Sequence, residues 1–190
     1  IKKNCYYLCD KNKKEKNDYI KGLTNYNFVN KLEDADFILA TTTSPGLKTL
    51  DYIPLLKKAL KKNLPFICAN PDYESIETKS KKFKICMGSI AELYRALGGK
   101  IFILGKPKTE IYIESTLKIK NFNKSKVLAV GDSIYHDIKG ANNFGIDSLL
   151  ITSGIHHVDF DIKNPIWTSN KNTLRNLAIR PTFMCSKFQI

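Results

Sequence analysis

The sequence predicts an α/β protein built around a mainly parallel sheet. Short apolar stretches of strand length alternate with amphipathic stretches along most of the 190 residues, which is the pattern of strands linked by covering helices. The apolar stretches run into glycine, proline, asparagine or aspartate, residues that end strands and form turns. An apolar content of 43% supplies enough surface for a core, so a generally disordered chain is excluded.

The first half is predicted to alternate strand and helix. Its predicted strands and helices are Lys3–Leu8, a short helix from about Asp18, Phe37–Ala40, Leu50–Lys62, Pro65–Ala69 and Ser89–Leu97. Leu50–Lys62 has an apolar face and an opposite face that holds most of its lysines, which predicts a helix. The residues of the apolar face are Leu50, Ile53, Leu56 and Leu60. Ser89 can cap the second helix, and the Gly98-Gly99 pair ends it.

The second half continues the alternation. Its predicted elements are a strand at Lys100–Leu104, a helix at Thr109–Lys118, a strand at Val127–Val130, a helix at Asp137–Asn143, a strand at Ser148–Thr152 and a helix near Asn172–Leu177. The run Val127–Val130 is apolar throughout, as expected of a parallel strand covered on both faces.

The net charge of +13 comes almost entirely from lysine. Three of the 31 basic residues are arginine and the remaining 28 are lysine, spread along the chain. Nucleic-acid surfaces favour arginine for its fork of donors and gather it on one face. The composition therefore argues against a nucleic-acid partner, although the charge favours anionic ligands.

Simple counts exclude two further classes. No apolar run approaches the roughly 18–20 residues of a membrane helix, so no membrane partner is expected. The five cysteines form no CxxC pair, which fits neither a disulfide framework nor a zinc site. Cys68 and Cys86 lie in apolar runs and are predicted to be core residues. This usage suits a reducing cytoplasm, where we expect the protein to be.

Two carboxylates follow the apolar strand at Val127–Val130. Asp132 comes at its carboxyl edge, where α/β sheets place ligands, and Asp137 follows five residues later at the start of a helix. Two oxygen donors at a strand edge suit Mg²⁺, which takes one or two carboxylates together with waters and phosphate oxygens. The alternative is structural, with Asp132 in a turn and Asp137 capping the helix.

A lysine follows another predicted strand. Lys106 lies between Gly105 and Pro107, directly after Lys100–Leu104, and a lysine fixed there is a point charge suited to phosphate. Connected βαβ geometry would bring Lys106 beside the carboxylates. The His156-His157 pair is expected in an exposed loop, and His136 is open between a surface position and a role in tuning Asp132 or Asp137.

The motifs taken together resemble the haloacid dehalogenase (HAD) superfamily of phosphohydrolases. The similarity rests on VLAVGDSIYHDIKGANNFGID (127–147) and on Gly105-Lys106-Pro107, and FICANPD (66–72) narrows it to the NagD-like, type IIA subclass. SGIH (153–156) and RPTF (180–183) also resemble the tail of this subgroup.

The resemblance implies a fold and an activity. Residues 1–99 would form an α/β cap of type C2, and residues 100–190 would form the C-terminal half of a Rossmann-like HAD core. The implied activity is Mg²⁺-dependent phosphate monoester hydrolysis through an aspartyl-phosphate. Asp132 would bind the metal, Asp137 would support it, and Lys106 would stabilise the phosphoryl group and the nucleophile.

The resemblance says less about the substrate. It would be a small phosphorylated metabolite selected by the cap, with Asn70 and Asp72 as candidates for facing it, although Asn-Pro-Asp is also a good turn. Ser133 could hydrogen-bond within the site or cap the next turn.

The sequence departs from the family at its first motifs. The family begins with a strand ending in DxDG, which carries the nucleophile, and no such tetrapeptide occurs here. Asp34-Ala35-Asp36 precedes its apolar strand instead of following it, and Asp159-Phe160-Asp161 has no apolar strand before it. Because the chain also starts at Ile1 and not at Met, we expect the nucleophile-bearing N-terminal segment to be missing.

This departure leaves three hypotheses. The first is a HAD-type phosphatase that is complete only with the missing segment and not expected to turn over alone. The second is a non-catalytic truncated remnant or a phosphate- and metal-binding module, and the third is a basic nucleic-acid binder. Under the first hypothesis the chain alone is expected to self-associate or to bind its N-terminal complement.

Overall fold

The structure of the protein, a computed structural model, describes residues 2–10, 15–76, 83–157, 160 and 178–188. The chain divides into two compact units, Ile1–Leu104 and Gly105–Ile190. Within the described ranges, no helix is both long enough and apolar enough to span a bilayer.

The first unit is built on a five-stranded parallel sheet. Its strands are β1 (Lys3–Leu8), β2 (Tyr26–Val29), β3 (Phe37–Ala40), β4 (Phe66–Cys68) and β7 (Ile101–Ile103), in the spatial order β2-β1-β3-β4-β7. A short antiparallel hairpin joins β5 (Glu74–Ile76) and β6 (Phe83–Ile85). The helices are α1 (Glu15–Ile20), α2 (Ile53–Lys61) and α3 (Met87–Ala96), with 3₁₀ turns at Leu32–Asp34 and Thr49–Tyr52.

The core of the first unit lies between the sheet and helices α2 and α3. Leu56 of α2 and Ile90 and Tyr94 of α3 are fully buried with Phe66 of β4. The Tyr94 hydroxyl donates to the Leu64 carbonyl oxygen over 2.8 Å, which satisfies a buried polar group. Cys68 and Cys86 are buried free thiols, as predicted.

The second unit is a smaller parallel sheet with helices. Its strands are β8 (Leu128–Gly131), β9 (Asp147–Ile151) and β10 (Phe183–Cys185), in the order β10-β9-β8. Helix α4 (Thr109–Thr116) packs on α5 (Lys139–Phe144), where the rings of Tyr112 and Phe144 stack with centroids 5.4 Å apart. A 3₁₀ turn at Lys124–Lys126 precedes β8, and a π-helical turn at Ile134–Ile138 precedes α5.

The predicted α/β class with a parallel sheet is confirmed, and β1 and β3 have the predicted bounds. Four of the described strands, β2, β5, β6 and β10, are not predicted by the sequence; each has only three or four residues. The predicted helix near Asn172–Leu177, and Asp159 and Asp161, lie outside the described residues.

The strand before Lys106 differs from expectation in its partner. β7 was expected to open the core half, but it hydrogen-bonds to β4 in the sheet of the first unit. The division therefore falls between Leu104 and Gly105, a few residues beyond the predicted one at 99/100. The roles of the units as cap and core half remain predictions.

Candidate functional site

The candidate site lies at the carboxyl end of β8. The strand ends at Gly131, Asp132 and Ser133 follow, and the chain then enters the π-helical turn Ile134–Ile138. Turns of this kind are rare and frequent at functional sites. A Cβ at Gly131 would overlap the Asp137 carboxylate, so the glycine is what lets this carboxylate lie against the strand end.

Asp137 is the centre of the hydrogen-bond network. The residue is 8% exposed, and a buried charge is tolerated only when it is paired and hydrogen-bonded. Its Oδ2 accepts the backbone N–H groups of Asp132, over 3.1 Å, and Ser133, over 3.0 Å. Its Oδ1 lies 2.5 Å from Nζ of Lys106. Every oxygen of this carboxylate is therefore engaged.

Lys106 reaches Asp137 from the turn between β7 and α4. The preceding Gly105 has a φ of 95°, in the left-handed region that favours glycine. The Lys106 side chain is 45% exposed while that of Asp137 is 11% exposed, so the ammonium lies at the mouth of the site. The predicted proximity of Lys106 to the carboxylates is observed for Asp137.

Tyr112 supports the same network from α4. Its hydroxyl donates to the backbone carbonyl oxygen of Asp137 over 3.2 Å. Burial raises the pKa of the Tyr112 hydroxyl, and the negative charge of Asp137 raises it further while Lys106 opposes the change. Tyr112 therefore remains a protonated donor at neutral pH.

The Asp132 carboxylate accepts a hydrogen bond at one of its two oxygens within the described residues. Its Oδ2 accepts the backbone N–H of Ile155 over 3.0 Å. Its other oxygen, Oδ1, accepts no hydrogen bond from any residue that the structure describes. Among the described residues, this carboxylate oxygen is thus available to a cation or to water.

All three histidines are buried or partly buried. The sequence leaves His136 open between a surface position and a role in tuning Asp132 or Asp137, and its burial excludes the surface position. His136 is 7% exposed, and its Nδ1 lies 2.9 Å from Oγ of Ser133. His156 is partly buried, and its Nε2 accepts the N–H of Ile134 over 3.3 Å. The pair His156-His157 was expected in an exposed loop, which is wrong because the turn after β9 folds back onto the Asp132 loop. The sequence signal for this contact was the segment SGIH (153–156). It contributed to the family resemblance, but no role was assigned to it.

The residues predicted to face substrate lie in the first unit. Asn70 and Asp72 follow β4, and the carbonyl oxygen of Asp72 accepts the N–H of Gly88 over 3.0 Å. A Cβ at Gly88 would overlap the carbonyl oxygens of Pro71 and Asp72. The Asn-Pro-Asp turn is therefore fixed by its backbone onto the start of α3. Asp36 lies at the amino end of β3, as predicted, and its Oδ2 accepts the N–H of Asn4 over 2.7 Å.

The donor set of the candidate site suits a hard cation. Among the described residues, no group of three or more His, Cys, Asp or Glu side chains is placed to hold a metal ion, which argues against a site that the protein fills alone. Asp132, with one open carboxylate oxygen, fits Mg²⁺, because this ion keeps several waters and binds through one or two carboxylates plus phosphate oxygens.

Comparison with known proteins points to one family. The sequence pattern of the HAD-hydrolase-like family matches residues 103–188. An acid sugar phosphatase of Staphylococcus epidermidis is 30% identical over 108 residues, which are 56% of this chain and 40% of that protein.

Solved structures extend the likeness to both units. A haloacid dehalogenase-like hydrolase from Brucella suis superimposes with a TM-score of 0.77 and 26% identity over 98% of this chain and 66% of its own. A possible sugar phosphatase from Cytophaga hutchinsonii gives 0.70 at 21% identity, covering 100% and 66%. A glycerol phosphate phosphatase of Mycobacterium tuberculosis in complex with magnesium gives 0.65 at 21% identity, covering 96% and 49%. This chain spans two thirds or less of the length of each of these proteins.

Proposed function

We propose that this chain, whose residues 103–188 match the HAD-hydrolase-like family and whose described residues have the fold of haloacid dehalogenase-like hydrolases, provides the metal- and phosphate-binding part of a phosphate monoester hydrolase. The observation that carries the proposal is the network at the end of β8, in which one buried carboxylate holds both Lys106 and the backbone of the Asp132 loop. Phosphoryl transfer depends mainly on positioning and charge neutralisation, and this network supplies both.

Asp132 is the proposed magnesium ligand. Its Oδ1 has no hydrogen-bond partner among the described residues, whereas both oxygens of Asp137 are engaged. Asp137 then acts on the metal site through the loop that it holds. When bound, Mg²⁺ would neutralise charge on the phosphoryl oxygens.

Lys106 is the proposed phosphate-binding residue. Its ammonium is fixed by Asp137 at the exposed side of the network, so a phosphate approaching Asp132 meets a positive charge whose position is already set. Such preorganised charge stabilises a transition state without further reorganisation. Ser133 is a further candidate contact, with its hydroxyl already hydrogen-bonded to His136.

The attacking group is proposed to come from outside these 190 residues. The resemblance implies an aspartate in a DxDG motif as nucleophile and an aspartyl-phosphate intermediate, and the sequence contains no DxDG tetrapeptide. The chain alone is therefore expected to bind metal and phosphate without turnover.

The proposed substrate is a small phosphorylated metabolite. The relatives whose names specify a substrate act on sugar phosphates, glycerol phosphate or nitrophenyl phosphate. Selection among such substrates is proposed for the first unit, with Asn70 and Asp72 as candidates. The five free thiols fit a cytoplasmic location.

A magnesium titration tests the metal-binding part of the proposal. Mg²⁺ should raise the melting temperature of the chain by mass action. Asp132→Ala should abolish the shift, and Asp137→Ala should reduce it. Glu114→Ala, which removes an exposed carboxylate from α4 in the same unit, is the matched control and should keep the shift. An unchanged shift in Asp132→Ala would remove the metal assignment.

Turnover separates the enzyme from a binding module. The reading frame upstream of Ile1 should encode an apolar strand ending in DxDG, and the extended protein should hydrolyse p-nitrophenyl phosphate with Mg²⁺. An extended protein that binds Mg²⁺ but leaves this ester intact would favour the non-catalytic module.

A further inference from the structure

The turn that follows β9 closes over the loop that carries Asp132. β9 ends at Ile151, and Gly154, Ile155 and His156 follow shortly after it. The N–H of Ile155 donates to Asp132 Oδ2 over 3.0 Å, and Nε2 of His156 accepts the N–H of Ile134 over 3.3 Å. One short turn therefore holds the loop at its carboxylate and at its backbone.

Gly154 brings this turn into direct contact with Asp132. A Cβ at position 154 would overlap both the carboxylate and the Cβ of Asp132. The φ of Gly154 lies outside the left-handed region, so glycine is required here for space and not for backbone conformation. Any larger residue must displace the Asp132 side chain or the turn.

His156 completes the hydrogen bonding of three successive amides. The N–H groups of Asp132 and Ser133 donate to Asp137, and the next N–H, that of Ile134, donates to His156. Peptide units are planar, so the directions of neighbouring N–H groups depend only on φ and ψ of the residues between them. Fixing the Ile134 amide therefore helps to orient the two amides that hold Asp137.

We propose that Gly154, Ile155 and His156 form a clasp that positions Asp132 for its cation. His156 acts in it as a positioning residue, through the Ile134 amide, and touches neither metal nor substrate. The proposal rests on the proposed metal role of Asp132. It adds to that site the three residues of the turn that follows the carboxyl end of β9. Groups that orient metal ligands typically change metal affinity 10- to 100-fold when they are replaced.

Mg²⁺ affinity, measured by calorimetry on the full chain, tests the clasp. His156→Leu removes the acceptor and Gly154→Ala displaces Asp132, and each should weaken Mg²⁺ binding about tenfold or more. His156→Gln retains an acceptor near the position of Nε2 and should stay within about threefold of the parent chain. Ser153→Ala is the control on the same turn, since its hydroxyl makes no hydrogen bond within the described ranges; it should bind Mg²⁺ normally. Parental affinity in His156→Leu, or equal losses in His156→Leu and His156→Gln, would overturn the proposal.

Amide hydrogen exchange in metal-free protein separates this inference from the proposed function. His156→Leu should speed exchange at Asp132 and Ser133 as well as at Ile134, and His156→Gln should restore protection. If the parent chain binds no Mg²⁺, the metal assignment fails, and the clasp then stands or falls on these amides alone. Unchanged protection at Asp132 and Ser133 in His156→Leu would show a turn that is structural and local, and would overturn the clasp.

Discussion

Nζ of Lys106 lies 2.5 Å from Oδ1 of Asp137, across 31 residues of sequence. The carboxylate is nearly buried and the ammonium is half exposed, so the lysine serves as the solvent-facing counter-charge of a group that is itself tied to the backbone of the Asp132 loop. One carboxylate thus joins a long-range ion pair to the backbone of the Asp132 loop.

Removing the lysine should therefore destabilise the second unit. Lys106→Met leaves the Asp137 charge without its partner, and we expect a loss of about 1–3 kcal/mol in the free energy of unfolding measured with urea. The double variant Lys106→Met with Asp137→Asn should recover much of the loss, because the asparagine is neutral and still accepts the two backbone N–H groups. Lys108→Met, an exposed lysine of the same turn, is the control and should change little. Equal stability of Lys106→Met and the parent would show that the pair contributes nothing.

The chain alone should show no magnesium-dependent hydrolysis of p-nitrophenyl phosphate above background. The expected nucleophile motif is absent from the sequence. The Asp36 carboxylate lies at the amino end of β3, where it accepts the backbone N–H of Asn4. The measurement is the release of nitrophenol by the purified chain, compared before and after further purification steps. Hydrolysis that survives purification and depends on Mg²⁺ would mean that the nucleophile has been misassigned, and Asp36→Asn would be the first variant to test.

Local pattern identifies the Asp132 site because every part of its signal is short-range. A continuous apolar strand, a glycine at its end and a second carboxylate five residues later are enough to predict that Asp132 and Asp137 lie close together at the carboxyl end of that strand. Gly105 and Pro107 likewise fix the turn that carries Lys106.

Pairing across the chain is what local pattern does not contain. Lys100–Leu104 reads as a strand from its own residues, but its partner is β4 of the first unit, and strand order depends on contacts between distant segments. His156 meets Ile134 across 22 residues, through a turn whose direction depends on the packing of β9. Because local sequence does not contain this contact, a histidine pair in a polar stretch is predicted to lie in a surface loop.

The buried thiols of the first unit should make it sensitive to alkali. Burial raises the pKa of Cys5 and of Cys68 from 9.0 to about 11, outweighing backbone hydrogen bonds that lower it. Below pH 9.0 both the folded and the unfolded chain keep these protons, so stability is unaffected. Above it the unfolded chain ionises first and gains stability, so folding weakens as the pH approaches 11.

Cys68→Ala should reduce this loss. The difference in free energy of unfolding between pH 8 and pH 10.5, measured with urea, should shrink by about 2 kcal/mol because one titrating thiol is gone. Ile38→Val is the control, since Ile38 is equally buried in the neighbouring strand and should cost about 1 kcal/mol at both pH values. The same pH dependence in Cys68→Ala and Ile38→Val would contradict the assignment.

The last prediction concerns the open edge of β8. The strand pairs with β9 on one side and has no strand partner on the other within the part of the chain that the structure describes. Leu128 and Val130 point from one face of it and are 45% and 43% exposed. An unpaired apolar edge is a template for another chain, and incomplete burial of such side chains forgoes part of the roughly 1.5–3 kcal/mol that full burial of each would contribute.

We therefore expect the chain alone to be marginally stable or to self-associate, with sedimentation velocity showing larger species as concentration rises. Val130→Lys should shift the distribution toward monomer by placing a charge on the edge strand. Ile113→Lys adds the same charge at a similarly exposed apolar position on α4 and should leave the association largely unchanged. A DxDG-containing N-terminal segment supplied in trans should raise the melting temperature and suppress association. A monomer at high concentration, with a sharp cooperative melt and slow exchange of the amides of residues 127–130, would show that this edge is already covered.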